Sequence, residues 1–245
     1  MTMLKKLACV ASVVAIAGSG AHAAVVLTDT FSYPDGNLVG APGSPWVNHS
    51  GTTPVTVSSG AAVLTQSNSE DVNAPLAGAP YAAGVLYAGF DINFSTLPGA
   101  GAYFAHFKDD GTSLFRGRVF ATTSGAASGS FRIGISNGGN TFVAVPTDLS
   151  LNTVYRVVTE YDTATAVATV YVNPVTQTGG ATATDVATAA GITTYALRQA
   201  SGIGVLTLDN LVVATTFEEA RVIPEPASLL VLALGGLMLG RRRRV

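Results

Sequence analysis

The chain has 245 residues, enough for one large domain or two small ones with a sizeable core. Only 11% of the residues are charged and the formal net charge is −2, yet between residues 24 and 223 seven basic residues face fourteen acidic ones, so the central body carries −7. Such a body lacks the basic composition that a nucleic-acid binder needs, and with Cys9 as the only cysteine it offers no disulfide, thiolate metal site or cysteine nucleophile beyond the first few residues.

The chain opens "MTMLKKLACVASVVAIAGSGAHAAVV". Lys5 and Lys6 make a positive start, Leu7–Ala17 an apolar run, and Ala21-His22-Ala23 a small-residue cleavage site, the three parts of a secretory signal peptide. Cleavage is expected after Ala23, leaving Ala24 as the first mature residue, with the Sec translocon and signal peptidase as partners. A buried helix is the weaker reading, because Gly18, Ser19 and Gly20 would end it abruptly and its lysines would oppose the dipole.

From residue 24 to 220 the hydrophobic period is two, which predicts strands. In "YAGFDINF" Phe90, Ile92 and Phe94 alternate with Asp91 and Asn93, and in "FRIGIS" Phe131, Ile133 and Ile135 alternate with Arg132 and Gly134. "VYRVVTEYD" sets Tyr155, Val157, Thr159 and Tyr161 against Arg156, Val158 and Glu160. "TAVATVYVN" and "GVLTLDNLVVATTF" read the same way. "DDGT" at 109–112, "SNGGNT" at 136–141 and "YDTATA" at 161–166 are hairpin signals. Pro174–Thr194 is the least patterned stretch and is expected to be a long loop, and no stretch carries a sustained helical stripe with caps. The expectation is one all-β antiparallel β-sandwich of jelly-roll type, with a late strand returning beside the first.

The chain ends "VIPEPASLLVLALGGLMLGRRRRV". Residues 227–240 carry no charge and would span about 21 Å as a helix, short for a hydrocarbon core unless the flanks extend it. Pro226 suits a first helical position. Arg241, Arg242, Arg243 and Arg244 should stay cytoplasmic, which orients the body outward. Pro224-Glu225-Pro226, an apolar helix and a terminal arginine cluster, in that order, resemble the PEP-CTERM sorting signal of Gram-negative bacteria, also labelled an ice-binding protein C-terminal domain. The resemblance implies processing near Pro224, Glu225 and Pro226 by an exosortase, transient anchoring in the inner membrane, and final residence at the cell surface or in an exopolysaccharide and biofilm matrix. Residues 221–245 are therefore expected to be a sorting segment.

The order "DTFSYPDGNLVG", Trp46 with "NHSG", "AYFAHFKDDGTSLFRGRVFAT", "TVYRVVTEYDTATAVATVYVNP" and "LDNLVVATTFEEA" resembles LamG-like or concanavalin A-like jelly rolls. That resemblance implies glycan association, and for its lectin-like members calcium held by carboxylates. Asp109, Asp110 and Asp209 are the candidate calcium ligands. Outward alternates of the predicted strands, Asp91, Asn93, Arg116 and Arg118, are the candidate ligand-binding residues. Trp46 and His106 read as core or sheet-face residues. The Glu-x-Asp-x-x-Glu signature of jelly-roll glucanases is broken here, since Glu160-Tyr161-Asp162 is followed by Thr163, Ala164 and Thr165. No enzyme and no resident cofactor is expected. The reading is an exported structural or exopolysaccharide-associated protein, with a calcium-assisted lectin as the alternative and a glycan hydrolase a third, weaker one.

Overall fold

The computed structural model describes residues 24–183, 185 and 188–223. The expected signal peptide at 1–23, the Pro224-Glu225-Pro226 motif, the apolar segment 227–240 and Arg241–Arg244 lie outside the described residues. Among the described residues no helix is long and apolar enough to cross a membrane.

Seventeen strands follow in chain order: β1 Val25–Asp29, β2 Gly36–Asn37, β3 Val47–Ser50, β4 Thr56–Ser58, β5 Ala61–Thr65, β6 Asp71–Pro75, β7 Val85–Thr96, β8 Ala102–Lys108 and β9 Phe115–Thr122. The remainder are β10 Ser130–Ser136, β11 Val143–Ala144, β12 Leu149–Ser150, β13 Val154–Asp162, β14 Val167–Val172, β15 Ala181–Ala183, β16 Thr194–Arg198 and β17 Val205–Ala214, before a short helix, α1, Phe217–Arg221. The first sheet runs β15-β14-β13-β7-β17-β5-β4-β2, with β1 also paired to β17. The second runs β11-β10-β9-β8-β16-β6-β3, with β12 beside β10. The two make an antiparallel β-sandwich of jelly-roll type.

Period-two alternation builds the interior. Phe90, Ile92 and Phe94 of β7 are buried, as are Phe131, Ile133 and Ile135 of β10 from the facing sheet. Phe94 and Phe131 meet across the gap at 4.5 Å between ring centroids, and Phe90 stands edge-on to Phe104 of β8 at 6.2 Å. Each such ring contributes roughly 1.5–3 kcal/mol by leaving water. All three hairpin signals fall between paired strands, the tightest joining β13 to β14 where Asp162 faces Val167. The returning strand is β17, whose Leu211–Ala214 half pairs with β1.

Two expectations are corrected. Pro174–Thr194 is not a plain loop: it contains β15, which pairs with β14, and Ile192 bridges Tyr81. Its Ala181 and Ala183 are buried, so small side chains rather than alternation mark this strand. "TTFEEA" ends β17 and starts α1. Thr216 is the N-cap, its hydroxyl accepting from the Glu219 amide and donating to the Glu219 carboxylate at 2.8 Å, so a Thr-x-x-Glu capping signal was present. Glu218 and Glu219 therefore lie in the first turn of a helix, where the sequence pattern continues the strand. Phe217 and Ala220 seat this helix on the outer face of the first sheet, against Tyr87, Val158, Tyr171, Val212 and Ala214. Gly89 makes the close approach feasible: a Cβ there would stand 1.7 Å from the Ala220 carbonyl oxygen.

Candidate functional site

The four candidate ligand residues do not converge. Asp91 and Asn93, two apart on β7, both reach the outer face of the first sheet. They line a recess of about 200 Å³ with Thr207, Asp209, Asn210 and Val154. Here Asp209, Asp91 and Arg156 sit side by side across β17, β7 and β13. Asp91 is already committed: it accepts from Arg156 at 3.3 Å and from the Asn210 side-chain amide at 2.9 Å. Burial, with the neighbouring Asp91 and Asp29, raises the Asp209 carboxyl above its ordinary value. Two buried side-chain atoms here have no partner among the described residues, the Asn93 Oδ1 and the Arg156 Nε.

Arg116 and Arg118 part company on β9 because Gly117 between them adopts φ +53°, at a point where the β8–β9 register slips. Arg116 is buried, its Nε donating to the Thr188 carbonyl and its Nη1 to that of Phe115. Its expected outward presentation is thereby corrected: it holds the 174–194 segment against the second sheet. Arg118 does reach the outer face of that sheet.

Asp109 and Asp110 occupy the β8–β9 turn of the second sheet, whereas Asp209 lies on the first. The Asp109 carboxylate accepts the Gly111 amide at 2.9 Å, and the Lys108 ammonium donates to the Asp109 carbonyl at 2.7 Å. Among the described residues no three His, Cys, Asp or Glu side chains gather as a metal site. These three aspartates do not fit calcium as one site.

The outer face of the second sheet holds a denser constellation. A row of aromatic rings runs Phe115, Tyr103, Phe120, Phe142, with centroid separations of 6.5, 5.6 and 4.7 Å. Two guanidinium groups lie over Tyr103, Arg118 at 4.8 Å and Arg198 at 4.2 Å from its centroid. Arg118 also donates to the Gly139 carbonyl and the Asn140 side chain at 3.3 and 3.2 Å, while its Nε is buried without a partner. Arg198 donates to the Tyr103 carbonyl at 3.3 Å and has a long ion pair, 3.8 Å, to Asp71. Below Phe115 lies His106, 2% exposed, with ring centroids 4.5 Å apart and both imidazole nitrogens unpartnered. Burial holds that imidazole well below its ordinary pKa, and Arg118, His49, Lys108 and Arg198 add to the effect. His49 packs edge-on against the same Phe115 at 5.6 Å.

The loops fix this arrangement. Burial raises the Asp185 carboxyl, but the amides of Asn137, Gly138 and Gly139 outweigh it and hold the group below its ordinary value. Asp185 thus locks the turn that presents Gly139 and Asn140 to Arg118. Tyr103, Phe115, Phe142 and Arg198 were not singled out from sequence. Tyr103 and Phe115 stand in a quoted stretch, but Arg198 comes from β16, a five-residue strand whose neighbours β8 and β6 are about 90 and 125 positions away in the chain. Trp46 is core: its indole donates to Asp29 at 2.6 Å and its ring stacks on Phe31.

The glucanase-like carboxylates also have structural partners. Glu160 accepts from Tyr171 at 2.8 Å and from Gln177 at 2.9 Å. Asp162 accepts the Ala164 and Thr165 amides of its own turn.

No family model matches the chain, and no curated protein matches it. Solved structures do. A sialidase superposes with a TM-score of 0.52 at 18% identity, over 78% of this chain and 19% of that one. The CBM2 module of the evolved Dit of Lactobacillus casei BL23 phage J-1 gives 0.50 at 10% identity, over 78% and 95%. A Trypanosoma rangeli sialidase in complex with sialic acid gives 0.47 at 13% identity, over 72% and 31%. The chain thus spans about a fifth of the first sialidase, and at these identities the likeness is one of fold: a jelly-roll β-sandwich.

Proposed function

We propose that this chain is an exported protein of the Gram-negative cell surface or extracellular matrix, trimmed at both ends and associated through its β-sandwich with exopolysaccharide. The observation that carries the reading is how the described body is tied at Ala24 and at Val222. Ala24, the expected first mature residue, donates from its nitrogen to the Thr215 hydroxyl and accepts from the Thr215 amide, both at 3.0 Å. Strand β1 begins at the next residue. At the other end the Val222 amide closes α1 on Glu218, two residues before Pro224. Neither expected cut removes any of the described strands.

The partners of this reading are the Sec translocon, signal peptidase, an exosortase and, transiently, the inner membrane. The body is a binding or structural element rather than a catalyst, in keeping with the structural engagement of Glu160 and Asp162. A jelly-roll sandwich is also the architecture that the sialidase and the CBM2 module share with it, and sheet faces of this kind accept sugars on aromatic platforms.

Intact mass of the protein recovered from its native host, with fractionation into membrane and matrix, tests the reading. The expected species begins at Ala24, ends near Pro224-Glu225-Pro226 and is found outside the membrane. A membrane-bound species still carrying Arg241–Arg244 would overturn the processing.

A further inference from the structure

The charge of the body and the charge of its aromatic face disagree. The body as a whole carries a net −7 between residues 24 and 223. Yet two of its seven basic side chains, Arg118 of β9 and Arg198 of β16, converge on Tyr103 on the outer face of the second sheet. Asp71 is the carboxylate that comes near Arg198, at 3.8 Å, and it is shared with Ser50 and the Gln199 amide. Arg118 has only neutral hydrogen-bond partners among the described residues. Solvated surface arginines pair with carboxylates or point away from one another. Here two planar cations converge on one ring instead, and burial with the charge of Arg198 and Arg116 holds Arg118 below its ordinary pKa. Such convergence costs energy unless an anion offsets it.

The geometry selects the anion. A guanidinium offers a planar fork that fits a carboxylate with two hydrogen bonds. The rings beside it, Phe115 on one side and Phe142, stacked over the buried Phe120, on the other, offer apolar faces in a row rather than a closed pocket. That combination suits a chain with alternating carboxylates and apolar C–H faces. We propose that the outer face of the second sheet binds an acidic polysaccharide, with Arg118 and Arg198 pairing uronate carboxylates and the Phe115–Phe142 row carrying the sugar rings. The assignment rests on the exopolysaccharide reading above and narrows it to uronate-bearing chains. A single-stranded nucleic acid would also stack on aromatic rings, but the exopolysaccharide reading favours the uronate chain, and poly(dT) in the test separates the two.

Affinity electrophoresis of the processed protein from its native host, in gels containing polygalacturonate, neutral dextran, dextran sulfate or poly(dT), tests the assignment. The expected result is retardation by polygalacturonate, weakened by salt, with dextran inert and with dextran sulfate and poly(dT) weaker. Arg118→Gln should weaken polygalacturonate binding about tenfold, and Arg118→Lys by less, because charge survives and the fork is lost. Arg132→Gln removes the same charge from the same sheet, where Arg132 is already paired with Asp148 at 2.6 Å, and should change binding less than about twofold. Trp46 fluorescence reports that each variant is folded. Equal losses in Arg118→Gln and Arg132→Gln would overturn the site in favour of diffuse attraction. Tighter binding of poly(dT) or dextran sulfate would overturn the choice of uronate. Retardation by dextran, unchanged in Arg118→Gln, would sink this inference while leaving the glycan reading intact. No retardation by any polysaccharide would sink both.

Discussion

The Arg156 guanidinium donates to the Ala220 carbonyl at 2.7 Å, tying the terminal helix to the outer face of the first sheet. The same side chain reaches the Val222 carbonyl at 3.2 Å, the Asn210 carbonyl at 2.7 Å and Asp91 at 3.3 Å. A helix end leaves carbonyls without intrahelical partners and carries partial negative charge. Arg156 meets both needs in α1, and Asp91 balances its charge. The turn that ends at Val222 is therefore fastened by a strand residue far away in sequence.

Replacing Arg156 by Met should destabilise the protein by about 3 kcal/mol, because Asp91 is left buried without its cation and the helix carbonyls lose a donor. Urea unfolding measures the loss. Limited proteolysis should show cleavage moving into the Phe217–Val222 segment. An unchanged midpoint would mean that α1 is held by its apolar contacts alone.

Gly89→Ala probes the same docking from the sheet side. Its methyl would meet the Ala220 oxygen at 1.7 Å and the Arg156 Nη2 at 2.8 Å, so the helix must lift off. The expected cost is about 1–3 kcal/mol, the usual range for forcing an extra methyl into a packed contact. Because both changes act on one element, Gly89→Ala combined with Arg156→Met should cost less than the sum of the two. Additive losses would show that the two contacts are independent.

What the sequence makes legible follows from the range of the interactions. Phe90, Ile92, Phe94, Phe131 and Tyr161 announce the core because alternation is local, and the turns announce themselves through Gly, Asn and Asp. Helix α1 is missed because its Thr216–Glu219 cap is local but only five residues follow it, too few for a periodic stripe. Strand β15 is missed because its buried residues are alanines. Arg116 is misplaced by a single left-handed residue, Gly117, whose bulge breaks the alternation that assigned its face. The Arg118–Tyr103–Arg198 grouping needs the pairing of β16 between β8 and β6, and no local pattern encodes that. Asp91 was read correctly as facing outward, yet its committed bond to Arg156 depends on β13 lying next to β7.

The N-terminal loop offers an optical test. Asp29 accepts from the Trp46 indole at 2.6 Å, the Tyr33 hydroxyl at 2.9 Å and the Phe31 amide at 2.7 Å. Burial and the Asp29 carboxylate push the Tyr33 phenol well above its ordinary value, so it stays a donor. Asp29→Ala strands three donors and should cost about 3 kcal/mol or more. Since Trp46 is the only tryptophan, its emission should shift to longer wavelength as the indole gains access to water. Emission and stability both unchanged would mean that water substitutes for the carboxylate.

His106 sets a pH dependence whose sign can be worked out. Unfolded, its imidazole takes a proton near 6.5; folded, burial and the cations Arg118, Lys108 and Arg198 with His49 delay protonation to lower pH. Between those two values the unfolded chain holds more protons, so stability rises with pH across the window and is lost on acidification below about 6.5. The slope from this one group cannot exceed about 1.4 kcal/mol per pH unit. Asp71 and Asp209, raised chiefly by burial, act with the opposite sign in the more acidic range, and His49, lowered by burial and Lys108, acts with the same sign as His106. The informative quantity is therefore the difference between the native protein and His106→Phe, which keeps the ring against Phe115 and Tyr103 but cannot titrate. Urea midpoints measured from pH 7.5 to 5.0 should fall more steeply for the native protein, so the variant gains relative stability as the solution is acidified. Parallel curves would mean that His106 accepts its proton as readily in the fold as outside it.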